Sequence, residues 1–386
     1  MNICMVTPFY PPHIGGTQVV VQSLARELTN RGHRVTVVTS ASIDGDRQKE
    51  ERIRVTRLTF PRAWGTTHLT EAVLCVREIV EEHKSEPFDY LHLFHVFPFG
   101  ITAVLLKKVL HLPLMTTLMG LETYSLHGRL YGPGLAARFS GPLRPLVLTV
   151  SDVVTAPSVA LAGYMHAQGC KKQIEVIPHG VNLEEYNSTS LRVGARDLRE
   201  NLGIGPDEQM ILTVHRLHQV KDFTTAIRAL RRVLKERPNT RLVVVGEGPQ
   251  FERLRVAAEN EHVASSITCV GSVNHDELPI YYAAADLFLL STFYETFGLV
   301  LVEAMAASRC VVASNTGAVR EIVQDGITGF LFPVGNVDTL ATILLRTLAD
   351  DKLRSEIGHR ARRRVVDHYS LAKTAQRYLD RYTASR

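Results

Sequence analysis

Residues Ser291 to Gly317 read STFYETFGLVLVEAMAASRCVVASNTG, and this stretch decides how the rest of the chain is read. A strand-like run, 285–290 (ADLFLL), leads into it, and a second, 310–314 (CVVAS), lies near its end. Between them a loop gives way to a helix expected to start near Phe297 or Gly298. Strand, loop, helix, strand is the repeating unit of a parallel sheet covered by helices. Glu295 falls in the loop and Glu303 about two turns into the helix, with seven residues between them. Glu303 is the single charge in 299–307, LVLVEAMAA. A helix apolar on nearly every side is a buried one. An ionised carboxylate buried there without partners costs several kcal/mol or shifts its pKa. Glu303 therefore needs hydrogen-bond donors, from the hydroxyls of a sugar ligand or from a neighbouring Arg. The backbone N–H groups of Gly298, Leu299 and Val300 stand at the helix start, a place suited to a phosphate. A plain structural reading instead lets Glu295 complement the helix dipole, worth roughly 0.3–1 kcal/mol, and pairs Glu303 with an internal basic residue.

The alternation continues upstream and downstream of this stretch. A strand over 210–214 runs into HRLHQVKD (215–222) and then a helix to about Glu236. A strand over 241–245 ends in Gly246-Glu247-Gly248-Pro249, and one over 267–270 ends at Gly271. The run 277–284 is helical, and helices over 336–349, 352–366 and 371–386 close the chain. The first half repeats the pattern, with strands over 2–7, 34–39, 53–58, 89–94, 113–118, 152–155 and 174–177. Its helices are expected for about 15 residues from Thr17, and over 68–84 and 99–110. Gly15 and Gly16 fall after the first strand and before the first helix. Ligands of such folds collect beyond the C-terminal ends of the strands. The two glycines either only make a turn or let backbone N–H groups approach a diphosphate closely.

At 386 residues the chain exceeds one ordinary core and suggests two domains of nearly equal size. The polar, weakly patterned segment 184–206 reads as the linker. The expected division is 1–185, 186–366, and a helix over 367–386 packing back on the first domain. With 45% hydrophobic against 22% charged residues, the composition is that of a globular protein and excludes extended disorder. No run reaches the roughly 18–20 apolar residues of a membrane span. The start, Asn2-Ile3-Cys4-Met5-Val6, enters a strand directly, so no signal peptide is expected. Five scattered cysteines without Cys-x-x-Cys spacing read as small core residues in a reducing cytosol. A net charge of +5 permits an acidic ligand without demanding one. Over 127–146, Arg129, Arg138 and Arg144 lie among Leu130, Tyr131, Leu135, Phe139 and Leu143. Such a segment suits peripheral contact with an anionic membrane, an acceptor-binding loop, or an ordinary solvated helix. The run His359-Arg360-Ala361-Arg362-Arg363-Arg364 reads as a solvated helix face; no aromatics are interleaved to stack on bases, so no nucleic-acid partner is expected.

Glu-x7-Glu, with Phe-Gly-Leu-Val inside and Glu-Ala-Met-Ala at its end, resembles the donor-site signature of the retaining glycosyltransferases of family four, the glycosyl transferases group 1. The resemblance continues through Val-Val-Ala-Ser, Asn-Thr-Gly, Arg320-Glu321-Ile322-Val323 and Asp325-Gly326-Ile327-Thr328-Gly329-Phe330. It spans essentially the whole chain and is densest from Leu212 to Pro333. Pro178-His179-Gly180-Val181-Asn182 resembles the family's interdomain hinge. The resemblance implies an α/β fold of GT-B type: two Rossmann-like domains with parallel sheets facing across a cleft.

By resemblance, Arg216 and Lys221 hold the donor diphosphate, and fixed cations there stabilise charge on the leaving group. Glu303 binds the ribose hydroxyls, Glu295 faces the donor sugar, and the backbone of Gly298, Leu299 and Val300 meets the phosphates. Val270 and Gly271 flank the base, and Gly15 and Gly16 close over the diphosphate. One departure stands out. Met119, in Thr117-Leu118-Met119-Gly120, occupies a position where many members carry His, and a thioether is at best a weak acceptor. The role of that His is unfilled or moves to His13, His92, His95 or Glu122, which makes His92, Met119 and Glu122 candidates for acceptor binding or catalytic support. Ser308-Arg309-Cys310 replaces the usual Gly-x-Pro, and Ala318 stands where a second Gly is frequent. The motifs suggest no metal ligands and no cofactor.

The expected activity is metal-independent transfer of a sugar, with retention, from a nucleotide-diphosphate donor to a hydroxyl. UDP-sugars are favoured and GDP-mannose is the second choice. The expected acceptor is a glycan, a glycolipid or other lipid-linked molecule, or a small molecule. The expected location is cytoplasmic or peripheral on the inner membrane face. A nucleotide-sugar epimerase of the same fold and a non-catalytic nucleotide-sugar sensor are the alternatives.

Overall fold

The computed structural model describes residues 1–12, 15–40, 53–58, 67–120, 143–187 and 190–385. Within them the chain forms two compact units, Met1–His179 with Leu371–Arg386, and Gly180–Ser370. Each unit is an open, wholly parallel sheet with helical connections, the two Rossmann-like domains expected.

In the first unit the strands are β1 (Asn2–Thr7), β2 (Arg34–Ser40), β3 (Arg54–Leu58), β4 (Tyr90–Phe94), β5 (Leu114–Thr117), β6 (Val153–Ala156) and β7 (Ile174–Val176). They lie in the order β3-β2-β1-β4-β5-β6-β7. The helices are α1 (Gly16–Asn30), α2 (Thr67–Ser85), α3 (Gly100–Leu110) and α4 (Val159–Ala167), with a further helical run at 143–150. Strands β1 and β4 are buried along their whole length. Central parallel strands covered on both faces read this way, as continuous apolar runs.

The last helix of the chain (Leu371–Ala384) packs on this first unit. Its Tyr378 and Tyr382 are fully buried against Tyr90 and Phe94. Thr374 Oγ1 donates to Pro178 O at 2.9 Å. Arg31, at the end of α1, donates to Gln376 Oε1 and to Ala372 O.

The second unit contains, in chain order, α5 (Ser190–Asn201), β8 (Gln209–Val214), α6 (Phe223–Glu236), β9 (Thr240–Val245), α7 (Phe251–Asn260), β10 (Ile267–Gly271), α8 (Leu278–Ala284), β11 (Leu287–Leu290), α9 (Leu299–Ala306), β12 (Cys310–Ser314), α10 (Val319–Ile322), β13 (Phe330–Phe332), α11 (Val337–Ala349) and α12 (Asp351–His368). The sheet order is β10-β9-β8-β11-β12-β13. On α6, Ile227, Leu230 and Val233 face the sheet and are buried. Each such side chain stabilises the packing by about 1.5–3 kcal/mol.

Several expectations differ from what is found. The first unit ends at His179, ahead of the boundary expected at 185. Val181 N–H donates to Tyr369 O at 3.0 Å, and Tyr186 is buried in the core of the second unit, so the chain has already joined it there. The expected linker 184–206 is not a loop. It holds a short turn, Leu183–Tyr186, and helix α5, whose Ala195 is buried and whose Gly194 lies against Ile280. Among the cysteines, Cys4, Cys75 and Cys310 are core residues, whereas Cys269 is exposed on edge strand β10. Among the described residues no helix is long and apolar enough to cross a membrane.

The basic run on α12 is only partly solvated. Arg362 donates to Ala306 O at the end of α9, and Arg364 donates to Ile322 O and Glu321 O at the end of α10. Both satisfy carbonyls that a helix end leaves open. His359, Arg360 and Arg363 are exposed, and Arg360 pairs with Glu356.

Candidate functional site

In the second unit β8 and β11 are neighbours at the point where the strand order reverses. Such a point opens a crevice beyond the C-terminal strand ends. Two loops enter it, 215–222 after β8 and 291–298 after β11, and they are stitched together. Asp222 N–H donates to Ser291 O at 3.1 Å and Phe293 N–H to Val220 O at 2.8 Å. Thr292 Oγ1 also donates to Val220 O, at 3.0 Å. The stitching carries Lys221 Nζ to 2.5 Å from Glu295 Oε2, with side chains only 10% and 14% exposed. Asp222 then caps α6 through the N–H of Thr225. Arg216 is exposed on the first loop and, among the described residues, enters no ion pair. His215 is buried beside it; burial, and then the charge of Lys221, push its imidazole down to about 3, so it is neutral.

The second loop is held from beneath. Ala318 N–H donates to Glu295 O at 3.0 Å. A side chain at Gly317, whose φ is +48°, would place its Cβ 2.2 Å from that same oxygen. Only glycine lets this turn lie against the backbone of Glu295. Gly298 ends the loop at φ +95° as the N-cap of α9, and no side chain caps the helix. The N–H groups of Leu299 and Val300 have no partner within the helix at this end, and both residues are half-buried. Val270 and Gly271 end edge strand β10, also half-buried. Gly246 N–H donates to Gly271 O at 2.7 Å, which ties that end to the loop after β9.

Glu303 is 2% exposed, and its donors within the protein are a histidine and a tyrosine rather than an Arg. They come from the turn His275–Glu277 and from α8. His275 Nε2 lies 3.0 Å from Oε1, and the Tyr282 hydroxyl donates to Oε2 at 2.6 Å. No internal Arg pairs with it among the described residues. Burial works against a charge on His275, yet the bond and charge of Glu303, with Glu185 and Asp276, raise its pKa above the ordinary value. Burial and the Glu303 charge push the Tyr282 hydroxyl far up, so it stays a donor. A carboxylate offers about four acceptor positions, so Glu303 can still receive hydroxyls from a ligand. His275 and Tyr282 were missed from sequence. The available signal was the wholly buried Tyr of an apolar helix, whose hydroxyl needs a partner.

In the first unit the corresponding reversal lies between β1 and β4. Gly15 is the N-cap of α1, again without a side-chain cap, and a Cβ on Gly16 would meet nothing within 4 Å. His95 follows β4, buried, with a left-handed φ of 68°, and its Nε2 lies 3.3 Å from Thr17 Oγ1 on α1.

His92, expected as an acceptor-side or catalytic group, is corrected by its surroundings. It is 0% exposed, with Nδ1 2.6 Å from the Tyr382 hydroxyl and Nε2 2.7 Å from Thr117 Oγ1. Burial lowers its pKa to about 3. It is a neutral core residue that anchors the last helix. Met119 is half-buried against the β1–α1 side of the core. Glu122, His13 and most of 127–146 lie outside the described residues. Among the described residues no group of three or more His, Cys, Asp or Glu side chains is arranged to hold a metal ion.

Two family models account for most of the chain. The one for glycosyl transferases group 1 matches residues 195–364, and the one for Glycosyltransferase Family 4 matches residues 14–185. The chain belongs to glycosyltransferase family 4. Relatives of the family include the N-acetyl-alpha-D-glucosaminyl L-malate synthase of Bacillus anthracis, 26% identical over 95% of this chain and 93% of the relative. The alpha-monoglucosyldiacylglycerol synthase of Streptococcus pneumoniae is 26% identical over 90% of this chain and 79% of its own. Among solved structures, Anabaena HepE in complex with UDP and glucose has a TM-score of 0.80 at 20% identity, over 99% of both chains. The fold is GT-B, and the protein is a glycosyltransferase.

Proposed function

We propose that this glycosyltransferase moves a hexose, with retention and without a metal, from a nucleotide-diphosphate donor to a hydroxyl of a glycan, a glycolipid or a small molecule. The observation that carries the reading is the crevice at the β8/β11 reversal. There an uncapped helix start, an exposed Arg216, the Lys221–Glu295 pair and the Glu303 carboxylate belong to two stitched loops and the helix that follows them. In this reading Glu303 receives the ribose hydroxyls on the acceptor positions that His275 and Tyr282 leave open. The N–H groups of Leu299 and Val300 face the diphosphate. Arg216 and Lys221 meet the negative charge that grows on the leaving group, an interaction stronger in the transition state than before it. Glu295 orients Lys221 and faces the donor sugar. Val270 and Gly271 flank the base, while Gly15 and Gly16 supply backbone to the diphosphate.

UDP-sugars are the favoured donors, supported by the UDP in the Anabaena neighbour, with GDP-mannose second. The relatives' names carry alpha products, which from an alpha-linked nucleotide sugar means retention. Those names also place one relative on a small acid and another on a diacylglycerol lipid. A lipid acceptor suits a cytoplasmic enzyme resting on the membrane through 127–146.

The test is release of nucleoside diphosphate from UDP-glucose, UDP-N-acetylglucosamine and GDP-mannose over an acceptor panel, with the product anomer read by NMR. Glu303→Ala should weaken nucleotide binding by roughly 1.5–3 kcal/mol, the loss of a hydrogen bond to a charged group. Unchanged affinity in a folded Glu303→Ala variant refutes the assignment of the ribose site.

A further inference from the structure

His275 sits on the short turn His275–Glu277 between β10 and α8, with 26% of its side chain exposed, while the Glu303 side chain it touches is 2% exposed. It therefore connects solvent to a buried carboxylate. The two oxygens of Glu303 are divided between two donors, Oε1 to His275 Nε2 at 3.0 Å and Oε2 to the Tyr282 hydroxyl at 2.6 Å. That division fixes the rotation of the carboxylate about its last bond, and with it the direction of the lone pairs left over. We propose that His275 is a positioning residue for the nucleotide site: its bond to Oε1 aims Glu303, and its proton makes nucleoside diphosphate binding weaken as pH rises. The proposal rests on the reading of Glu303 as the ribose-binding group.

The charge balance sets the sign. Three carboxylates act on His275: Glu303 from α9, Glu185 from the turn Leu183–Tyr186, and Asp276 on its own turn. The phenols of Tyr282 and Tyr186 face Glu303 and stay neutral, since burial and then the Glu303 charge hold both far above the ordinary tyrosine value. His275 is then the one titrating cation among these groups. Its pKa is raised, so the protonated form persists above the ordinary histidine value and is lost as pH climbs through the raised one. With the proton present, one positive charge offsets the carboxylates beside an incoming diphosphate, and the bond to Oε1 is charge-assisted and stronger. With the proton gone, a neutral ring still donates, but the carboxylates face the diphosphate uncompensated. A ligand that prefers the protonated form must also take up a proton on binding.

The experiment measures UDP, GDP and ADP affinity by calorimetry at about pH 6 and about pH 8, either side of an ordinary histidine, on the whole chain. Wild type, His275→Gln and His275→Ala are compared. The glutamine keeps a neutral donor for Oε1 and removes only the titration. The nucleotide's own phosphate, with a pKa near 6, affects all three proteins alike and cancels in their ratios. Wild-type affinity should fall by roughly 5-fold or more across the interval relative to His275→Gln, the lower range of ordinary coupling. His275→Ala should be weak at both values, raising KM while leaving kcat close to wild type, because an aimed hydrogen bond to ribose serves ground and transition states alike. An affinity ratio between wild type and His275→Gln that is the same at both pH values overturns the proposal and leaves the ribose reading intact. Absence of binding by wild type to all three nucleotides overturns the ribose reading and the proposal together.

Discussion

Beyond β8 and β11 the second unit carries Arg216, Lys221, Glu295 and an uncapped α9; beyond β1 and β4 the first carries Gly15, Gly16, Thr17 and His95 at an uncapped α1. The strand order around the two reversals is the same, and each leaves a helix start open. One is dressed with an ion pair and an exposed cation, the other with glycines and a buried imidazole. The topology supplies the crevice, and the loop residues decide what chemistry it holds. The histidines do not divide so cleanly by unit. His92 and His179 in the first unit, and His215 in the second, are buried with pKa values lowered to about 3, first of all by burial. His275 in the second is raised.

The largest expected effect separates the two cations of the second crevice. Lys221→Ala removes the partner of a Glu295 that is 14% exposed. It should cost about 3–5 kcal/mol of stability, since an uncompensated charge stays behind, and turnover should fall by about two orders of magnitude or more. Arg216→Ala should lose comparable turnover and almost no stability, because its side chain is exposed and outside any ion pair among the described residues. Thermal unfolding alongside nucleotide release from the matching donor separates the two effects. Equal destabilisation in both variants would show that the buried pair is not what holds these loops.

How much of this was legible in the sequence follows the range over which each feature acts. The strands around Glu295 and Glu303, and the loop glycines, are local patterns and were readable. Helix α5 was not, because Gly194 and a polar surface hide its short apolar stripe, and its partner Ile280 lies far along the chain. The bonds from His275 and Tyr282 to Glu303, and from Tyr382 to His92, join separate elements. Nothing in local periodicity encodes them. His92 illustrates the cost: an imidazole in a strand looks like a candidate catalyst until both of its nitrogens are seen to be occupied.

Acid should break the first unit sooner than the second. A histidine with a lowered folded pKa leaves its unfolded form to take the proton first. Its stability is fully present above about pH 6.5 and is lost as pH falls toward the folded value. Each costs up to about 1.4 kcal/mol per pH unit in that window. At about pH 5 the two in the first unit sum to about 4 kcal/mol, against about 2 for His215. His275 has the opposite sign: its contribution is whole below about pH 6.5 and is lost only as pH rises through the raised value. Hydrogen exchange resolved by unit, corrected for intrinsic rates, should show protection falling faster in the first. Tyr382→Phe should weaken that unit by a further 1–3 kcal/mol or so at neutral pH, since the buried Nδ1 of His92 loses its partner. Equal losses in the two units would break the comparison.

The smallest effects come from the glycines at the two helix starts. Gly298 has a φ of +95°, and an added Cβ would lie 3.2 Å from Glu295 Cγ and 3.3 Å from Leu301 Cδ1. Gly298→Ala should therefore cost about 1–2 kcal/mol in backbone strain and lower the melting temperature. Gly16 lies inside the first turn of α1 with nothing within 4 Å of an added Cβ. There the same change should stabilise by about 0.5–1 kcal/mol, by lowering the entropy of the unfolded chain. Activity then discriminates between the two uses of Gly16. If its backbone approaches the diphosphate, the new methyl group stands between them, and Gly16→Ala becomes more stable and less active at once. If the glycines only form a turn, Gly16→Ala keeps full turnover with an unchanged KM for the donor, and the diphosphate role assigned to the first crevice is withdrawn.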